Sequence, residues 1–360
     1  MPGLYGGGAE DVILKIAEGF SKRGVSIDLV VVKKEGELQS RVSEGVNLVD
    51  LEASRIATSV FPLCRYIRRE SPKAIVSALT PTNIISVISN ILAGRRLSTI
   101  LTEHNIKSVS ISRKDHKSRV FSIIARFVYY GADEIVAASS RIADDLCEII
   151  QVRRRNVNVI HNPVFDQALQ ESAREELNHP WFQSNIEVVL GVGRLTSKKD
   201  FPTLIRSFAR LREVREARLV ILGEGEERQD LEALSRELGV SDDVDLPGFV
   251  DNPIKYMAQA DVFVLSSTSE GFGNVVVEAL ASGVPVVSTC GDEGPGEILE
   301  NGRYGKLVPS GNPEAMSEAI SETLERPDQP ASREERIQRA RDFSVEKAIE
   351  KYWSIVNQYV

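Results

Sequence analysis

The sequence predicts an α/β protein made of two tandem doubly wound, Rossmann-like domains. At 360 residues the chain exceeds what one hydrophobic core ordinarily holds, so two domains are the default. Strand-like apolar runs alternate with amphipathic helical runs, the pattern of a parallel sheet covered on both faces. The alternation falls into two series, separated by a charged segment at Gln167–His179 that reads as a linker. The predicted division is residues 1–165, residues 166–344, and a terminal helix in residues 345–360 that crosses back to the first domain.

The first series begins with Gly6-Gly7-Gly8 and an amphipathic helix from Glu10 to Arg23, with Val12, Ile16, Ala17 and Phe20 on one face. A strand at Ser26–Val32, a short strand near Val46–Leu51 and a helix at Phe61–Arg69 follow. Next come strand Ala74–Ala78, helix Thr82–Leu92, strand Thr99–Thr102 and a helical stretch at 117–130. Strand Glu134–Ala138, helix Ser140–Ile150 and strand Val157–Ile160 complete the series, which His161-Asn162-Pro163 closes. The second series holds strand Glu187–Gly191, helix Phe201–Val214, strand Ala217–Leu222, helix Glu227–Leu238 and strand Val244–Leu246. It continues with strand Asp261–Leu265, a helix at about Asn274–Ser282, strand Val284–Ser288 and helix Pro313–Leu324, before a last helix from about Val345 to Gln358. Ligands of such sheets lie at the carboxyl ends of the strands, so two facing domains would hold a ligand between them.

The first series starts at its loop. Gly6–Gly8 and the helix after it are the second half of a strand–loop–helix unit, and residues 1–5 are too few and too rich in Gly and Pro for the strand. In a sheet of order 3-2-1-4-5 that strand is central. The expectation is a gap or collapsed register in the middle of the first sheet, and a natural start upstream of Met1 or a sequence that is a fragment.

Composition narrows the function. With 42% hydrophobic and 27% charged residues the chain has the make-up of a water-soluble globular protein. Its three cysteines, Cys64, Cys147 and Cys290, are far apart and lack metal-ligand spacing, so they read as reduced thiols of a cytoplasmic protein, with no metal site expected. No apolar run reaches membrane-span length and the N-terminus lacks a signal-peptide pattern. The net charge of −8 divides unevenly, about +6 over residues 1–165 against −14 over the rest, which argues against a general nucleic-acid binder.

The chemistry concentrates between Leu265 and Pro285. An apolar strand ends in Ser/Thr residues and Glu270, then the loop Gly271-Phe272-Gly273, then a helix beginning at Asn274 and stopped by Gly283 and Pro285. Glu278 sits in that helix among Val275, Val276, Val277, Ala279, Leu280 and Ala281, where a lone carboxylate is costly unless something meets it. Two glutamates thus bracket a helix N-terminus, and a helix N-terminus favours anions. A ligand with both hydroxyls and phosphates suits that pattern, and a nucleotide sugar is one. The alternative is a core glutamate tied to a nearby Lys or Arg.

Other strand ends add to it. Strand Val188–Leu190 leads into Gly191-Val192-Gly193-Arg194-Leu195, with Lys199 five residues beyond Arg194; an Arg/Lys pair at a strand end stabilises phosphate. Gly223-Glu224-Gly225 is either a fragment of a nucleotide loop or a tight strand-to-helix turn. Gly248-Phe249 lines a base pocket or forms an ordinary turn. His104, at the end of the strand Thr99–Thr102, faces the crevice and can hydrogen-bond a sugar, or is a satisfied structural histidine.

Gly193-Arg194-Leu195…Lys199 followed by Glu270-Gly271-Phe272-Gly273-Asn274…Glu278-Ala279-Leu280-Ala281-Ser282-Gly283-Val284-Pro285 resembles the family-4 retaining glycosyltransferases of the two-domain GT-B fold, in a bacterial branch. The resemblance covers nearly the whole chain. It implies that Arg194 and Lys199 neutralise a donor diphosphate, that Glu278 accepts ribose hydroxyls, and that Glu270 lies at the donor sugar. It implies that the backbone of Gly271, Phe272, Gly273 and Asn274 cradles sugar and phosphate, that His104 lies beside the sugar, and that Gly6, Gly7 and Gly8 approach the phosphates or the acceptor. Gly193, Gly248 and Phe249 would border the nucleotide. No metal and no cofactor beyond the nucleoside-diphosphate sugar is implied, a UDP-sugar rather than a GDP-sugar.

The function expected from this is transfer of a hexosyl or N-acetylhexosaminyl group, with retention, to a glycan or lipid-linked acceptor in cell-envelope polysaccharide or glycoconjugate synthesis. The alternatives are a sugar-nucleotide-binding partner subunit and a GT-B-fold sugar-nucleotide epimerase. Two departures from the family pattern stand out: the absent first strand, and Gly294-Pro295-Gly296-Glu297, where relatives place a basic residue after Gly-Pro. The expected location is the cytoplasm, at the inner face of the plasma membrane. Lys107, Arg113, Lys114, Lys117, Arg119 and Arg126 interleave with Val120, Phe121, Ile123 and Ile124; this is either a basic amphipathic segment, which gains about 1 kcal/mol per cation near anionic lipid, or a solvated loop and an ordinary buried helix face.

Overall fold

The computed structural model describes residues 1–5, 7–104 and 124–360. The chain forms two compact units. One contains Met1–Pro163 and Val345–Val360, the other Val164–Ser344.

In the first unit α1 (Gly8–Ser21) precedes β1 (Ile27–Val31) and β2 (Val46–Asp50). Then follow α2 (Val60–Glu70), β3 (Ala74–Ala78), α3 (Thr80–Ala93), β4 (Ser98–Glu103), β5 (Glu134–Ala137), α4 (Ser140–Asp145) and β6 (Val157–Val159). The stretch predicted as one helix at Ser140–Ile150 changes to a π-helical turn at Leu146–Ile150. Val12, Ile16 and Phe20 of α1 are buried, as their spacing on one face requires.

All strand pairs are parallel, but the sheet is split. β1 pairs with β2, and β3, β4, β5 and β6 pair in sequence order, while among the described residues β1 and β3 do not join. The gap falls where a central strand was expected to be absent. Residues 1–3 follow the edge of β1: Val32 N–H donates to Met1 O at 2.8 Å and the Met1 amine donates to Val30 O at 2.8 Å.

The second unit opens with α5 (Gln167–Ser172), so the segment predicted as a linker begins as structure: the Asp166 carboxylate caps the Leu169 amide at 2.8 Å, and the exposed charges of Arg174, Glu175 and Glu176 follow the helix. The order continues β7 (Glu187–Val192), α6 (Phe201–Arg212), β8 (Ala217–Leu222), α7 (Arg228–Glu237), β9 (Val244–Gly248), α8 (Ile254–Gln259), β10 (Val262–Leu265), α9 (Asn274–Ser282) and β11 (Val286–Ser288). It ends with α10 (Gly294–Ile298), β12 (Lys306–Leu307), α11 (Pro313–Glu325) and α12 (Arg333–Ala340). Six strands form one parallel sheet of order β12-β11-β10-β7-β8-β9, the doubly wound arrangement whose ligands gather at strand carboxyl ends. Its core is continuous: Val189, Leu204, Phe208, Leu219, Val262 and Met316 are each essentially inaccessible.

The last helix, α13 (Val345–Val356), belongs to the first unit. Gly19 allows the approach, since a Cβ there would lie 2.6 Å from Ile349 Cδ1. Phe20 meets Trp353 edge to face at 5.9 Å, and Arg23 covers the same indole.

Candidate active site

The predicted residues of the second unit converge on the carboxyl ends of its strands. The loop after β7 is pinned by backbone bonds, Gly193 N–H to Leu222 O and Leu195 N–H to Glu224 O, both at 2.9 Å. Gly223-Glu224-Gly225 is the mould for that loop. A Cβ on Gly223 would lie 2.0 Å from Gly193 O, and one on Gly225 would lie 2.2 Å from Leu195 O. Its glycines therefore serve close backbone approach, which decides between the two readings of the motif in favour of the turn. The Glu224 carboxylate is spent on Arg228, at 2.6 and 2.9 Å. Beside it the Gly223 N–H donates to Gly248 O at 2.8 Å, and Phe249 stands 68% exposed at the next position.

A second set of bonds stitches the Thr196–Lys199 turn to the loop after β10. Ser266 Oγ donates to Lys199 O at 2.7 Å and Thr268 N–H to Lys198 O at 2.9 Å. Held this way, Lys199 Nζ reaches Glu270 Oε1 at 2.6 Å, and Ser267 Oγ donates to the same oxygen at 2.7 Å. Burial pushes the Glu270 carboxyl up. The Lys199 charge and the two hydrogen bonds outweigh it and hold the group below the ordinary glutamate range. Arg194, leaving the same strand end, is exposed.

The Glu270 backbone N–H donates to Glu293, a buried carboxylate that sequence reasoning passed over. Its signal was present in hindsight: an acidic residue just before Gly294-Pro295, at a helix start facing the glycine loop. A Cβ on Gly294 would lie 2.3 Å from Phe272 O, and one on Gly296 would lie 1.7 Å from Gly291 O. The position where the family places a basic residue is therefore closed by backbone in this chain.

α9 begins at the glycine loop, with Gly273 at φ 93° as its N-cap and no side chain among the described residues capping it. Phe272 is buried, its ring 5.5 Å from Phe343 in an edge-to-face contact. Its side chain is thus core, and only its backbone is placed to meet a ligand, with Gly271 and Asn274 on either side. Glu278 is half-buried on α9, between buried Val277 and Ala279. The C-terminal end of the helix is anchored by buried Arg336, whose Nε donates to Gly283 O at 2.9 Å.

His104 lies in the first unit. It is 8% exposed, with Nδ1 3.0 Å from Asn162 Oδ1 and Nε2 3.1 Å from Thr102 Oγ1. Burial pushes its pKa down to about 4, against the pull of Asn162, so the ring is neutral with both nitrogens engaged. Its neighbour Glu103 was also passed over. One oxygen accepts from Thr80 and Asn83, both at 2.9 Å, and from Tyr129, while Oε2 is buried and has no partner among the described residues. Burial pushes this carboxyl up to about 7. Gly7 is the N-cap of α1 and Gly8 its first residue, while Gly6 lies outside the described residues. So does most of the predicted basic amphipathic segment, including Lys107, Arg113, Lys114, Lys117 and Arg119. Arg126 is exposed within a helical stretch, residues 124–130, that also exposes Phe127.

A parallel Rossmann-like sheet with an acidic and basic cluster before a glycine loop and helix N-terminus is the donor-side architecture of a GT-B glycosyltransferase. Two family models match, glycosyltransferase family 4 over residues 6–167 and glycosyl transferases group 1 over residues 173–343. Together they span almost the whole sequence, and the chain belongs to these glycosyltransferases. It is 29% identical, over 79% of its length and 75% of the relative's, to the N-acetylgalactosamine-N,N'-diacetylbacillosaminyl-diphospho-undecaprenol 4-alpha-N-acetylgalactosaminyltransferase of Campylobacter jejuni. It is 36% identical to the lipopolysaccharide core biosynthesis glycosyltransferase LpsE of Rhizobium meliloti, over 58% of each chain. Among solved structures it superposes on Anabaena Alr3699/HepE in complex with UDP with a TM-score of 0.80, at 20% identity, over 99% of this chain and 100% of that one. Sucrose-phosphate synthase of Thermosynechococcus elongatus gives a TM-score of 0.84 at 19% identity, over 99% and 95%. No helix among the described residues is long and apolar enough to cross a membrane.

Proposed function

We propose that the protein transfers a hexosyl or N-acetylhexosaminyl group from a UDP-sugar to a glycan or lipid-linked acceptor of the cell envelope, with retention at the anomeric carbon. The observation that carries this is the cluster Lys199–Glu270–Ser267 set directly before the glycine loop and the N-terminus of α9. A diphosphate seated there meets Arg194, Lys199 and the helix dipole, which stabilise the charge that develops as the nucleoside diphosphate leaves. Those charges make a bound metal unnecessary for departure. Glu270, already ionised, accepts a hydroxyl of the donor sugar, and Glu278 accepts the ribose hydroxyls. On this reading the departing phosphate takes the acceptor proton on the same face of the sugar, so no dedicated protein base is needed. Exposed Phe249 at the tip of β9 offers a flat surface to the base.

The UDP in the Anabaena structure's name and the lipid-diphosphate acceptor in the Campylobacter enzyme's name support the choice of donor and acceptor class. On this reading the reaction takes place at the inner face of the plasma membrane. The test is a panel of nucleotide sugars, scored for nucleoside diphosphate release with and without membrane lipid extract, with the product's anomeric configuration read by NMR. Release from UDP-sugars that rises with extract, and an unchanged configuration, is the expected result. Inversion, or release from GDP-sugars alone, would overturn it.

A further inference from the structure

Glu103 has no part in the reaction described above, yet it is fully buried at the carboxyl end of β4, next to His104. Its Oε1 collects three donors from two other elements. Thr80 Oγ1 and Asn83 Nδ2, at the start of α3, donate at 2.9 Å each, and the Tyr129 hydroxyl donates from the helical stretch at residues 124–130. No cation meets this carboxyl among the described residues, and Oε2 has no partner there. An ionised carboxylate so placed is a buried charge without a counterion, whereas the neutral acid has no charge to bury.

The same donors extend the network along the strand ends. Asn83 Nδ2 also donates to Thr102 O at 3.1 Å, and Asn83 Oδ1 accepts from Ser77 Oγ at 2.6 Å. Thr102 Oγ1 donates to Ser77 O at 3.0 Å and lies 3.1 Å from His104 Nε2. Successive residues of a strand point to opposite faces, so Glu103 grips one side of the strand end that carries His104 on the other. Leu79, between β3 and α3, stands at φ 74°, a costly conformation for a residue with a Cβ, and its N–H donates to Thr102 O at 3.2 Å. The network therefore holds a strained turn, the start of α3, the 124–130 helix and the end of β4 as one piece.

We propose that Glu103 is a positioning residue for sugar transfer, a neutral acid that clamps the start of α3 and the 124–130 helix to the end of β4 and so fixes the imidazole of His104. This rests on the role given to His104 beside the donor sugar. Loss of the proton places a bare charge in the cluster, loosens the clamp and lowers turnover. Burial raises the carboxyl to about 7, against the pull of its three hydrogen bonds, which sets that loss close to neutral pH. The titratable groups of the cluster are Tyr129, held well above its ordinary range by burial and by Glu103, and His104, lowered to about 4 by burial. From α3 and β3 only Thr80, Asn83 and Ser77 join it, so no other described group of the cluster titrates near neutral pH.

The test is turnover of a UDP-sugar by the full chain as a function of pH, for wild type, Glu103→Gln, Glu103→Ala and Tyr129→Phe, with affinity for free UDP measured on the same samples. Wild-type kcat should fall about tenfold between roughly pH 7 and 8.5. Glu103→Gln keeps the acceptor oxygen and the shape without the charge, so it should stay within about threefold of wild type at roughly pH 6 and lose that fall. Glu103→Ala should lower kcat about tenfold or more at every pH with UDP affinity unchanged, because the residues assigned to UDP lie in the other unit. Tyr129→Phe removes a donor that favours the carboxylate, so it should move the fall to higher pH. A wild-type pH profile in Glu103→Gln would overturn the proposal, as would wild-type kcat in Glu103→Ala or a loss of kcat matched by an equal loss of UDP affinity. If no nucleotide sugar is turned over, the reading of the reaction fails, and hydrogen exchange decides the clamp. At roughly pH 8.5 the amides of Asn83 and Tyr129 should exchange about tenfold faster in wild type than in Glu103→Gln, and equal rates would overturn it.

Discussion

Lys199 Nζ and Glu270 Oε1, 71 positions apart in the sequence, lie 2.6 Å apart, and the oxygen they share with Ser267 is held at the edge of the glycine loop. The pair is largely buried, with side-chain exposures of 21% and 12%. Removing one member of such a pair leaves the other uncompensated, so the two residues act as one device.

Glu270→Gln should therefore lower turnover by about a hundredfold while changing UDP affinity only a few-fold, since the sugar contact and the fixed Lys199 are lost together. The pH dependence has a definite sign. With its folded pKa depressed, Glu270 contributes stability that is fully present above the ordinary glutamate range and is lost as pH falls through the folded value. Glu270→Gln should flatten that acid limb in urea titrations followed from neutral to acid pH. Lys199→Met should also flatten that limb or reverse its sign, because burial then goes uncompensated by the lysine charge.

Glu278→Ala should leave the fold intact, because the side chain is only half-buried. It should weaken UDP binding by about ten- to a hundredfold, the worth of hydrogen bonds to a charged acceptor of roughly 1.5–3 kcal/mol. Calorimetry with free UDP measures this. Unchanged affinity in folded protein would remove the ribose role.

Glu103 and His104 should pull stability in opposite directions with pH. The Glu103 carboxyl is raised to about 7, so the folded state binds the extra proton between its ordinary value of 4.5 and 7, and its contribution is lost as pH rises through that window. His104, lowered to about 4 from 6.5, contributes stability that is lost as pH falls from 6.5 to 4. Glu103→Gln should remove the first slope, changing the difference from wild type by an amount on the order of 3 kcal/mol between pH 4.5 and 7.5. Chemical unfolding at a series of pH values gives the answer, and parallel curves would show that the Glu103 proton is not linked to folding.

Gly296→Ala should destabilise the protein by about 1–3 kcal/mol, since the added methyl meets the Gly291 carbonyl oxygen with no flexible side chain to give way. A Tm lowered by several degrees, with UDP binding weakened in proportion to the loss of the neighbouring Phe272–Gly294 contact, is the expected outcome. Wild-type stability in Gly296→Ala would mean that the Gly291 turn is free to move.

The sequence carried most of the framework. Strand Ala74–Ala78 has its predicted bounds, and the break between β1 and β3 falls in the first sheet, where a gap was expected because the series opens on Gly6–Gly8 rather than on a strand. Local signals failed where tertiary contacts decide. The charged stretch after Phe165 is partly a capped surface helix, a distinction composition does not make. Glu270 and Lys199 were each singled out by the sequence, but their pairing depends on Ser266 and Thr268 stitching two distant loops. Glu293 was missed because its partner is a backbone N–H, so only its place just before Gly294-Pro295 pointed to it. His104 was correctly placed at a strand end, while its enclosure by Thr102 and Asn162 comes from a residue 58 positions away.

The return of α13 to the first unit has a consequence for synthesis on the ribosome. Val164–Ser344 is one uninterrupted segment, and the bridge between Phe165 and Ser344 brings its ends side by side, so this unit is complete once Ser344 has emerged. The first unit starts earlier and finishes later. Phe20 and Gly19 of its first helix wait for Trp353 and Ile349, residues translated after the whole second unit. Domains generally fold as units in the order they emerge. Here that order is inverted: the amino-terminal half must persist half-covered, its apolar α1 face open to chaperones, until residues 345–356 have emerged.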